Sequence, residues 1–480
     1  MHWLKERIHP TWHFTAVMLG FVMGVIFAQW YSVEPIVGGL LGVGCLAVAF
    51  WRRRRMLLVI ACCGGLLLGS ARGAVDMSSR EVYRGLVGES RLEIDAKITD
   101  DVDATTRGRV HLKLDDVTIG DQKLPGRIFA TVSNADGARR SDRVKIIGRV
   151  DQGFGNFVAT ITGVVAANDR ASQSDMALNI RDGFAGHVQT AVHDPAAGLG
   201  TGYLLGKKSA LPDDLATALQ VTGLTHIVVA SGYNLTVLVR AGRRLFARVS
   251  KYLAMISGVG LVAGFVLMTG TSATMTRAGI VALLGLWAWY YGRTFHPVTL
   301  LATVAGITLM IDPSFGWGDL GWSLSFAAFA GVMIVAPIVT CYFFGKDKAP
   351  FVGQLFIETI SAQLATLPIM VLAFHQMSIV APFANLLILP FIPLAMVLVA
   401  VAGLGAWLMP GLAGVVGWPA EQLLNAQIAI VNWFSEVPGA LLKPSWTPVV
   451  VALYIAVVVV VVVYMKWRTK FILRTSSIVE

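Results

Sequence analysis

The sequence reads Thr222-Gly-Leu-Thr-His-Ile-Val-Val-Ala-Ser-Gly-Tyr-Asn234 where a polar, mixed-charge first part of the chain gives way to a long hydrophobic remainder. On one continuous helix, His226, Ala230 and Asn234 would lie near the same face, and Ser231-Gly232 is a place where that helix can loosen. Hydrocarbon accepts a broken helix only where the freed backbone is buried in protein or lines a wet cavity. Two interpretations stay open: part of a pore or binding site, or an ordinary helical bundle with a hydrogen-bonded histidine and close Gly and Ser packing.

The composition is that of an integral membrane protein. The chain has 480 residues, of which 55% are hydrophobic and only 14% are charged, and its mean hydropathy is +0.66. Such values exclude an ordinary soluble domain. The four cysteines all lie in or beside apolar runs, so no disulfide or zinc framework is indicated for the polar segment.

The sequence lacks the common catalytic motifs. It contains no His-Glu-x-x-His, no Gly-x-x-x-x-Gly-Lys-Ser/Thr and no Gly-x-Ser-x-Gly, and its histidines are scattered without metal-ligand spacing. We therefore predict that the chain is not an enzyme and that it has no cofactor and no metal site. Without an ATP-binding motif, any active transport must be driven by an ion gradient or by a partner.

The apolar runs predict about 11–12 transmembrane helices. They lie near residues 14–30, 36–50, 56–73, 224–241, 252–269, 275–291, 297–311, 324–344, 352–372, 380–409, 411–433 and 447–465. Lys and Arg collect on the cytoplasmic side of short loops. The four arginines at 52–55 and the basic clusters after later spans then place both termini in the cytoplasm and residues 74–222 outside it.

The polar segment has the alternating pattern of β-strands. Five stretches alternate apolar and polar residues between turn-rich breaks, at 91–99, 109–119, 127–132, 143–150 and 157–165. Five short, closely spaced strands predict a small extracytoplasmic all-β domain with an OB-like fold. The whole chain is therefore predicted to be a polytopic α-helical membrane protein that carries this barrel.

The barrel has few of the features of a nucleic-acid site. OB-folds bind single strands with a basic groove and aromatic platforms. Between residues 91 and 165 the Phe, Tyr and Trp residues are Phe129, Phe154 and Phe157 alone, and from 74 to 180 there are 15 Lys/Arg against 16 Asp/Glu, a balance of −1. Two roles stay open, namely DNA binding and a structural gate or assembly domain.

The predicted domains follow from these patterns. They are an N-terminal three-helix membrane segment (1–73), the OB-like domain (74–175), amphipathic or interfacial helices (176–222), a transmembrane channel domain (223–470) and a cytoplasmic tail (471–480). Within the third, residues 181–192 and 213–221 predict helices, and the glycine-rich stretch 196–206 is too short to span, which indicates an interfacial or re-entrant piece.

Charged residues inside predicted spans are costly, so each is a candidate for a site. Arg277 lies near the start of its span, where it can also snorkel outward, and Glu358 shares a span with Gln363. Asn385 lies in the run 380–409, which prolines interrupt, and such interrupted runs point to a binding site or pathway in transport proteins.

Other candidates have ordinary alternatives. Asp312 lies in a predicted outer loop, where a turn role is the alternative, and His375 lies at the outer end of a span, where a solvated histidine would be ordinary. The run 411–433 contains several polar residues and either lies at an interface or lines a cavity. These residues are Glu421, Gln422, Asn425, Gln427 and Asn432.

Several motifs, in order along the chain, resemble those of the ComEC-type competence family of inner-membrane DNA-uptake channels. Residues 222–232 are similar to the family's hallmark, and Met275-Thr-Arg277-Ala278 resembles its Arg-Ala pair at the start of a span. The later motifs are Asp312-Pro-Ser-Phe-Gly-Trp-Gly-Asp-Leu-Gly-Trp-Ser-Leu-Ser-Phe-Ala-Ala328, Thr366-Leu-Pro368, Phe374-His375-Gln376-Met-Ser378 and Asn385-Leu-Leu-Ile-Leu-Pro390. The resemblance covers most of the chain, including the N-terminal spans and the outer domain.

The resemblance implies a channel that passes one strand of transforming DNA through a bacterial inner membrane into the cytoplasm. Polar and basic side chains can contact phosphate or bases without fixing the sequence. The predicted DNA path consists of His226, Ser231, Asn234, Arg277, Asp312, Glu358, His375 and Asn385. The implied partners are single-stranded DNA, the lipid bilayer, a DNA receptor outside, a helicase, translocase or single-strand-binding protein inside, and a separate nuclease.

The chain departs from the family pattern in two ways. Many members read Ser-Gly-Leu-His where this chain has Ser231-Gly232-Tyr233-Asn234, which puts any role that needs a second histidine in doubt. Many members also carry a C-terminal metallo-β-lactamase-like domain, which is not expected here, and no His-x-His-x-Asp-His occurs. Two rival functions stay open: an ion-coupled transporter of a small solute or envelope precursor, and a membrane enzyme built on His226.

Overall fold

The computed structural model describes residues 9–31, 33–52, 56–104, 109–133, 135, 137–169, 175–207, 211–228, 231–270, 272–345 and 349–471. The chain divides into two compact units, the first made of residues 1–176 and 298–322 and the second of residues 177–297 and 323–480. Predictions that concern Ala230, the arginines 53–55 and residues 472–480 fall outside the described residues.

Helices dominate the secondary structure. In chain order they are α1 (Pro10–Phe27), α2 (Pro35–Arg52), α3 (Leu57–Arg84), α4 (Met176–Ala191), α5 (Ala196–Leu205), α6 (Asp213–Val221), α7 (Thr225–Val228), α8 (Gly232–Phe246), α9 (Lys251–Thr269), α10 (Ala273–Tyr291), α11 (Pro297–Ile311), α12 (Leu320–Ala330), α13 (Ala336–Phe344), α14 (Phe351–Phe374), α15 (Ala381–Ile388), α16 (Ile392–Leu408), α17 (Ala413–Ser435) and α18 (Pro448–Thr469). The helix predicted at 213–221 is confirmed; it follows Pro212 and has Asp213 and Asp214 in its first turn, where carboxylates favour the helix dipole.

The prediction of a polytopic α-helical membrane protein is confirmed. Seven helical segments of the described residues are long and apolar enough to cross a membrane, and two more, Pro35–Trp51 and Pro297–Ile311, are apolar but shorter. The seven are Pro10–Phe27, Leu57–Arg84, Lys251–Thr269, Leu320–Phe344, Phe351–Phe374, Ala381–Leu408 and Pro448–Thr469. The number of spans, about 11–12, stays a prediction.

Glycines bring α1 and α3 of the first unit into backbone contact. Gly20 and Gly24 on α1 face Gly65 and Gly69 on α3, each pair one helical turn apart. A Cβ at Gly65 would lie 2.1 Å from the Val17 carbonyl oxygen. Small residues at this spacing are typical of membrane helix pairs, because association there depends on close van der Waals packing.

The OB-like prediction is confirmed by the topology of the barrel. Its strands are β1 (Leu92–Ile98), β2 (Asp103–Ala104), β3 (Val110–Ile119), β4 (Gln122–Leu124), β5 (Ile128–Ser133), β6 (Arg143–Gln152) and β7 (Ala159–Asp169). The five long strands pair in the order β1–β3–β5–β7–β6 and close back onto β1; the β5–β7 pair is parallel and the others are antiparallel. This is the five-stranded Greek-key arrangement of an OB-fold.

Within the first unit, the barrel is tied to the segment that follows α11. The Asn156 side-chain amide donates to the Asp319 carboxylate (2.9 Å), and the Arg127 guanidinium lies 3.7 Å from the Asp312 carboxylate. Burial raises the pKa of Asp319, while the hydrogen bond that its carboxylate accepts from the Trp322 N–H (2.7 Å) lowers it. These side chains hold the β6–β7 loop and the start of β5 against residues 312–319.

The second unit has one large apolar core built around the short helix α5. Buried residues of α4 to α7 and α15 to α17 all contribute to this core. Glycines of α5 let its neighbours approach closely, since a Cβ at Gly202 would lie 2.4 Å from the Val228 side chain. The proline-interrupted run is also confirmed: α15 ends at Ile388, a 3-10 turn at Leu389–Phe391 contains Pro390, and α16 follows.

Candidate functional site: a broken helix beside an unpaired arginine

The structure describes two helices in the run 224–241, and that this run forms one membrane span stays a prediction. α7 covers only Thr225–Val228, and α8 begins at Gly232 after Ser231, whose backbone is extended (φ −110°, ψ 153°). The Ser231 hydroxyl accepts a hydrogen bond from the Asn234 N–H (3.3 Å). The predicted loosening at Ser231-Gly232 is therefore confirmed, with serine as the cap of the new helix.

The Asn234 side chain closes this break. It is fully buried, and its amide nitrogen donates to the carbonyl oxygens of Tyr203 and Ile227, both at 3.0 Å. These carbonyls lie in the last turns of α5 and α7, where the carbonyl groups of a helix have no hydrogen-bond donor within the helix itself. The Asn234 amide thus stabilises the break, because it donates hydrogen bonds to carbonyl groups that the break leaves without helical partners. The Asn234 amide oxygen has no hydrogen-bond partner within the described residues.

Arg277 lies beside the first turn of α8. Its Nη2 is 3.3 Å from the position that a Cβ would occupy on Gly232, and its guanidinium carbon lies 6.0 Å and 5.7 Å from the ring centres of Phe326 and Phe329. Its Nε is buried without a hydrogen-bond partner, and no ion pair among the described residues includes this arginine. A half-buried cation without a carboxylate is costly, so this position favours an anion.

The residues on either side of this break, 222–228 and 231–234, are called here the broken stretch, and they pack along α15. A Cβ at Gly223 would lie 2.9 Å from the Ala381 side chain, and the Tyr233 hydroxyl donates to the Leu389 carbonyl (3.3 Å). Asn385 lies one turn beyond Ala381 on the buried face of α15, and its amide oxygen has no partner within the described residues. The structure therefore brings Asn385 to the same core as the broken stretch.

A polar connection leads from α14 to His226. The Gln363 side-chain amide on α14 donates to the Ser378 carbonyl (2.8 Å), and Ser378 lies against Gly223, whose carbonyl accepts a hydrogen bond from the His226 Nδ1 (2.8 Å). This bond places the proton of the ring on Nδ1 and leaves Nε2 as an acceptor on an exposed side chain. The Gln363 amide oxygen and Ser378 hydroxyl have no partners within the described residues.

Gln427 is a buried polar residue that sequence reasoning did not select. It is 2% exposed on α17, and neither its amide oxygen nor its nitrogen has a hydrogen-bond partner within the described residues. Buried polar atoms are normally bonded to protein or water. With Asn234, Gln363 and Asn385, it makes the interior of the second unit polar at several levels. The feature of the sequence that could have identified Gln427 is its place in the polar run 411–433.

α8 also carries a row of arginines that sequence reasoning used only for topology. Tyr233, Arg240 and Arg244 follow one another at seven and four residues, so they lie along one side of the helix. The opposite side contributes Leu235 and Val239 to a core with α9 and α10. The Arg240 Nε has no partner within the described residues. The row runs from Tyr233 in the first turn of α8 to Arg244 in its last turn.

Of the remaining predicted residues, Glu358 lies within electrostatic range of Tyr233 on α8, whereas His375 and Asp312 lie elsewhere. Glu358 on α14 accepts a hydrogen bond from Gln354 (2.9 Å), and His375 is the exposed cap residue that ends α14 in the left-handed region (φ 52°). Asp312 belongs to the first unit, where it caps the turn at Ser314 and approaches Arg127. In the part of the chain that the structure describes, no three His, Cys, Asp or Glu residues are placed to hold a metal ion.

Comparison with known proteins covers the same region. A family model described as Competence protein matches residues 203–469, which is more than half of the chain and includes all the predicted site residues. This chain belongs to the competence protein family. The chain is also 23% identical over 246 residues to ComE operon protein 3 of Bacillus subtilis (strain 168), over 51% of this chain and 31% of that protein. The matched region thus spans about a third of the relative. No solved structure matches the chain.

Family membership associates this chain with competence. The matched region begins in α5 and ends with α18. The broken stretch, Arg277, the arginine row of α8 and α15 therefore all lie within it. We take this group of residues as the candidate functional site of the chain.

Proposed function

We propose that this chain is the membrane conduit through which one strand of DNA enters the cytoplasm. A polyanion needs a wet route with positive charge or hydrogen-bond donors and no apolar seal. The observation that supports the proposal most directly is Arg277, a half-buried cation without an acidic partner within the described residues. A phosphate beside it would also meet the N–H groups at the start of α8, which favour anions.

The arginine row of α8 continues this route. Arg240 and Arg244 lie on the same side of α8 as Tyr233, so a strand that leaves Arg277 would meet further cations along the helix. In the proposed orientation both termini are cytoplasmic and the barrel is outside, and α8 leads inward. The proposed partners are a DNA receptor outside, a separate nuclease, and a cytoplasmic helicase, translocase or single-strand-binding protein that pulls the strand.

DNA import in cells tests the proposal. Cells that lack this gene are complemented with the unsubstituted gene or with Arg277→Ala, and they are given labelled double-stranded DNA, with cytoplasmic and outside-bound label scored separately. We expect the deletion to bind DNA outside but to import none. Arg277→Ala should reduce import about tenfold or more, because a charge-assisted phosphate contact contributes about 1.5–3 kcal/mol, and Arg277→Lys should retain part of it.

The matched control is Arg293→Ala, since Arg293 is exposed just beyond the other end of the same helix. Protein amounts in the membrane are measured for every variant. Normal import without the gene would contradict the conduit. Normal import by Arg277→Ala would contradict the role of this arginine, while loss of import of small solutes alone would support the transporter alternative.

A further inference from the structure

The end of α8 and the start of α9 carry most of the positive charge of a segment that has no acidic residue. Between residues 215 and 297 the sequence contains seven Lys and Arg residues and no Asp or Glu, and five of the seven lie between 240 and 251. Such a concentration of one sign of charge attracts anions. The arginine row of α8 belongs to the proposed conduit, whereas Arg243 and Lys251 have no role in it.

Arg243 lies on another side of α8 from that row. It follows Val239 by four residues, on the side of α8 that packs against α9 and α10. Its guanidinium carbon lies over the ring of Trp289 near the end of α10, 5.1 Å from the ring centre. The Lys251 ammonium lies 5.7 Å from the centre of the same ring and 5.4 Å from that of Tyr290. Three helices thus bring two cations and two aromatic rings to one place.

The aromatic rings fix the positions of these cations without neutralising them. A ring face attracts a cation through its quadrupole, but the ring has no net charge. Lys251 is exposed and takes part in no ion pair within the described residues. Its ammonium therefore keeps its charge and its hydrogen-bond donors for a ligand. Because phosphate oxygens accept strong charge-assisted hydrogen bonds, the chemistry of this place suits a phosphate group.

The same residues lie where a membrane helix begins. Lys251 is the first residue of α9, which is long and apolar enough to cross a membrane. Trp, Tyr, Lys and Arg are typical of the level of the lipid headgroups. Exposed apolar and aromatic side chains continue from this level along both helices. They are Tyr252, Ile256 and Val259 on α9 and Leu283, Trp287 and Tyr291 on α10.

This combination of cations and apolar surface matches a phospholipid rather than a nucleic acid. A phospholipid has a phosphate at one end and acyl chains that cover exposed apolar side chains. A DNA strand is charged along its whole length, so the apolar sides of α9 and α10 contribute nothing to its binding. Basic pockets between membrane helices are known to hold anionic headgroups.

We propose that Arg243, Lys251, Trp289 and Tyr290, called here the headgroup site, bind the phosphate of an anionic phospholipid. The two cations hold the phosphate, and the acyl chains lie along the exposed sides of α9 and α10. The bound lipid then joins the ends of three helices, because Arg243 comes from α8, Lys251 from α9 and both rings from α10. This site goes beyond the proposed function and does not depend on DNA transport.

The test uses the purified full-length protein in a neutral detergent, with native mass spectrometry to count the lipids bound during a titration with phosphatidylglycerol. Phosphatidylcholine of the same chain length is the reference, and we expect it to bind more weakly. Arg243→Gln and Lys251→Gln should each weaken binding of the first phosphatidylglycerol about fivefold, and the double variant by the product of the two effects. Trp289→Leu keeps both charges but removes the ring that fixes them, so it should also weaken binding.

The matched control is the double variant Lys466→Gln and Arg468→Gln, which removes two exposed cations from the end of α18, outside the headgroup site. It should leave the affinity for the first phosphatidylglycerol unchanged. An equal loss in this control would overturn the proposal, as would unchanged affinity in the double variant of Arg243 and Lys251. Displacement of the lipid by an equal concentration of glycerol phosphate would assign the site to a free phosphate, and displacement by oligothymidylate would assign it to nucleic acid; either result would also overturn the proposal.

Discussion

At the scale of single residues, the broken stretch depends on a few hydrogen bonds that water cannot replace. The Asn234 amide bonds the carbonyls of Tyr203 and Ile227, and Ser231 caps the helix that follows. In the interior of a membrane protein, an unsatisfied carbonyl costs far more than in a solvated loop. Asn234 therefore has a structural role here, with a side chain that donates two hydrogen bonds at once.

We expect Asn234→Leu to destabilise the second unit by about 2–4 kcal/mol, because two buried carbonyls lose their donors. The stability of Asn234→His should lie between those of the unsubstituted protein and Asn234→Leu, since an imidazole N–H can donate to only one of the two carbonyls. The measurement is the thermal unfolding midpoint of the purified protein in detergent.

Asn425→Leu is the control for this series, because Asn425 lies on the exposed side of α17. It should leave the midpoint unchanged. An unfolding midpoint of Asn234→Leu equal to that of the unsubstituted protein would show that the amide does not sustain the break.

At the scale of elements, glycines decide which helices touch. A Cβ at Gly417 of α17 would lie 1.9 Å from the Ala191 carbonyl oxygen at the end of α4, whereas a Cβ at Gly414 of the same helix would have no atom within 4 Å. The first glycine is required for the contact of two backbones, and the second only lowers the helix propensity of α17. The two positions are one turn apart and are chemically identical in the sequence.

Gly417→Ala should therefore destabilise the protein, by about 1–3 kcal/mol or more, because the methyl group meets backbone and α4 and α17 must separate. Gly414→Ala should be neutral or should stabilise α17 by up to about 1 kcal/mol. Thermal unfolding of the two variants side by side checks the pair. Equal effects of the two substitutions would contradict the close approach of α4 and α17.

At the scale of the whole molecule, charge is distributed unevenly along the chain. The full sequence has a formal net charge of +10, while residues 74–180 carry 15 Lys/Arg and 16 Asp/Glu, a balance of −1. Basic residues are therefore concentrated around the apolar helices, where the positive-inside rule places them on the cytoplasmic side. A strand of DNA that moves inward along α8 would pass toward increasingly positive surroundings, which favours a polyanion.

This orientation predicts the labelling pattern of single cysteines. Asp121→Cys, in the exposed β3–β4 turn, should react with a membrane-impermeant maleimide in intact spheroplasts, because the proposed orientation puts the barrel outside. Lys466→Cys, near the end of α18, should react only after the membrane is opened. The unsubstituted protein, with its four native cysteines, gives the background. The reverse pattern would invert the proposed topology.

The sequence by itself determined the class of the protein and its secondary structure, because these depend on local patterns. Apolar runs indicated a helical membrane protein, and two-residue alternation located all five long strands of the barrel within a few residues. Local signals also located two interruptions, at Ser231-Gly232 and at Pro390, since a serine cap and a proline act on their own neighbourhood.

Only the tertiary structure decided which distant residues meet. It brought Arg277 to Gly232, turned Asn234 toward Tyr203, gathered Phe129, Phe154 and Phe157 on one face, and buried Gln427. No local pattern encodes such contacts, because each depends on the packing of elements far apart in the chain. The predicted site residues were accordingly divided: His226, Ser231, Asn234, Arg277 and Asn385 surround one broken helix, whereas Asp312 belongs to the unit that contains the barrel.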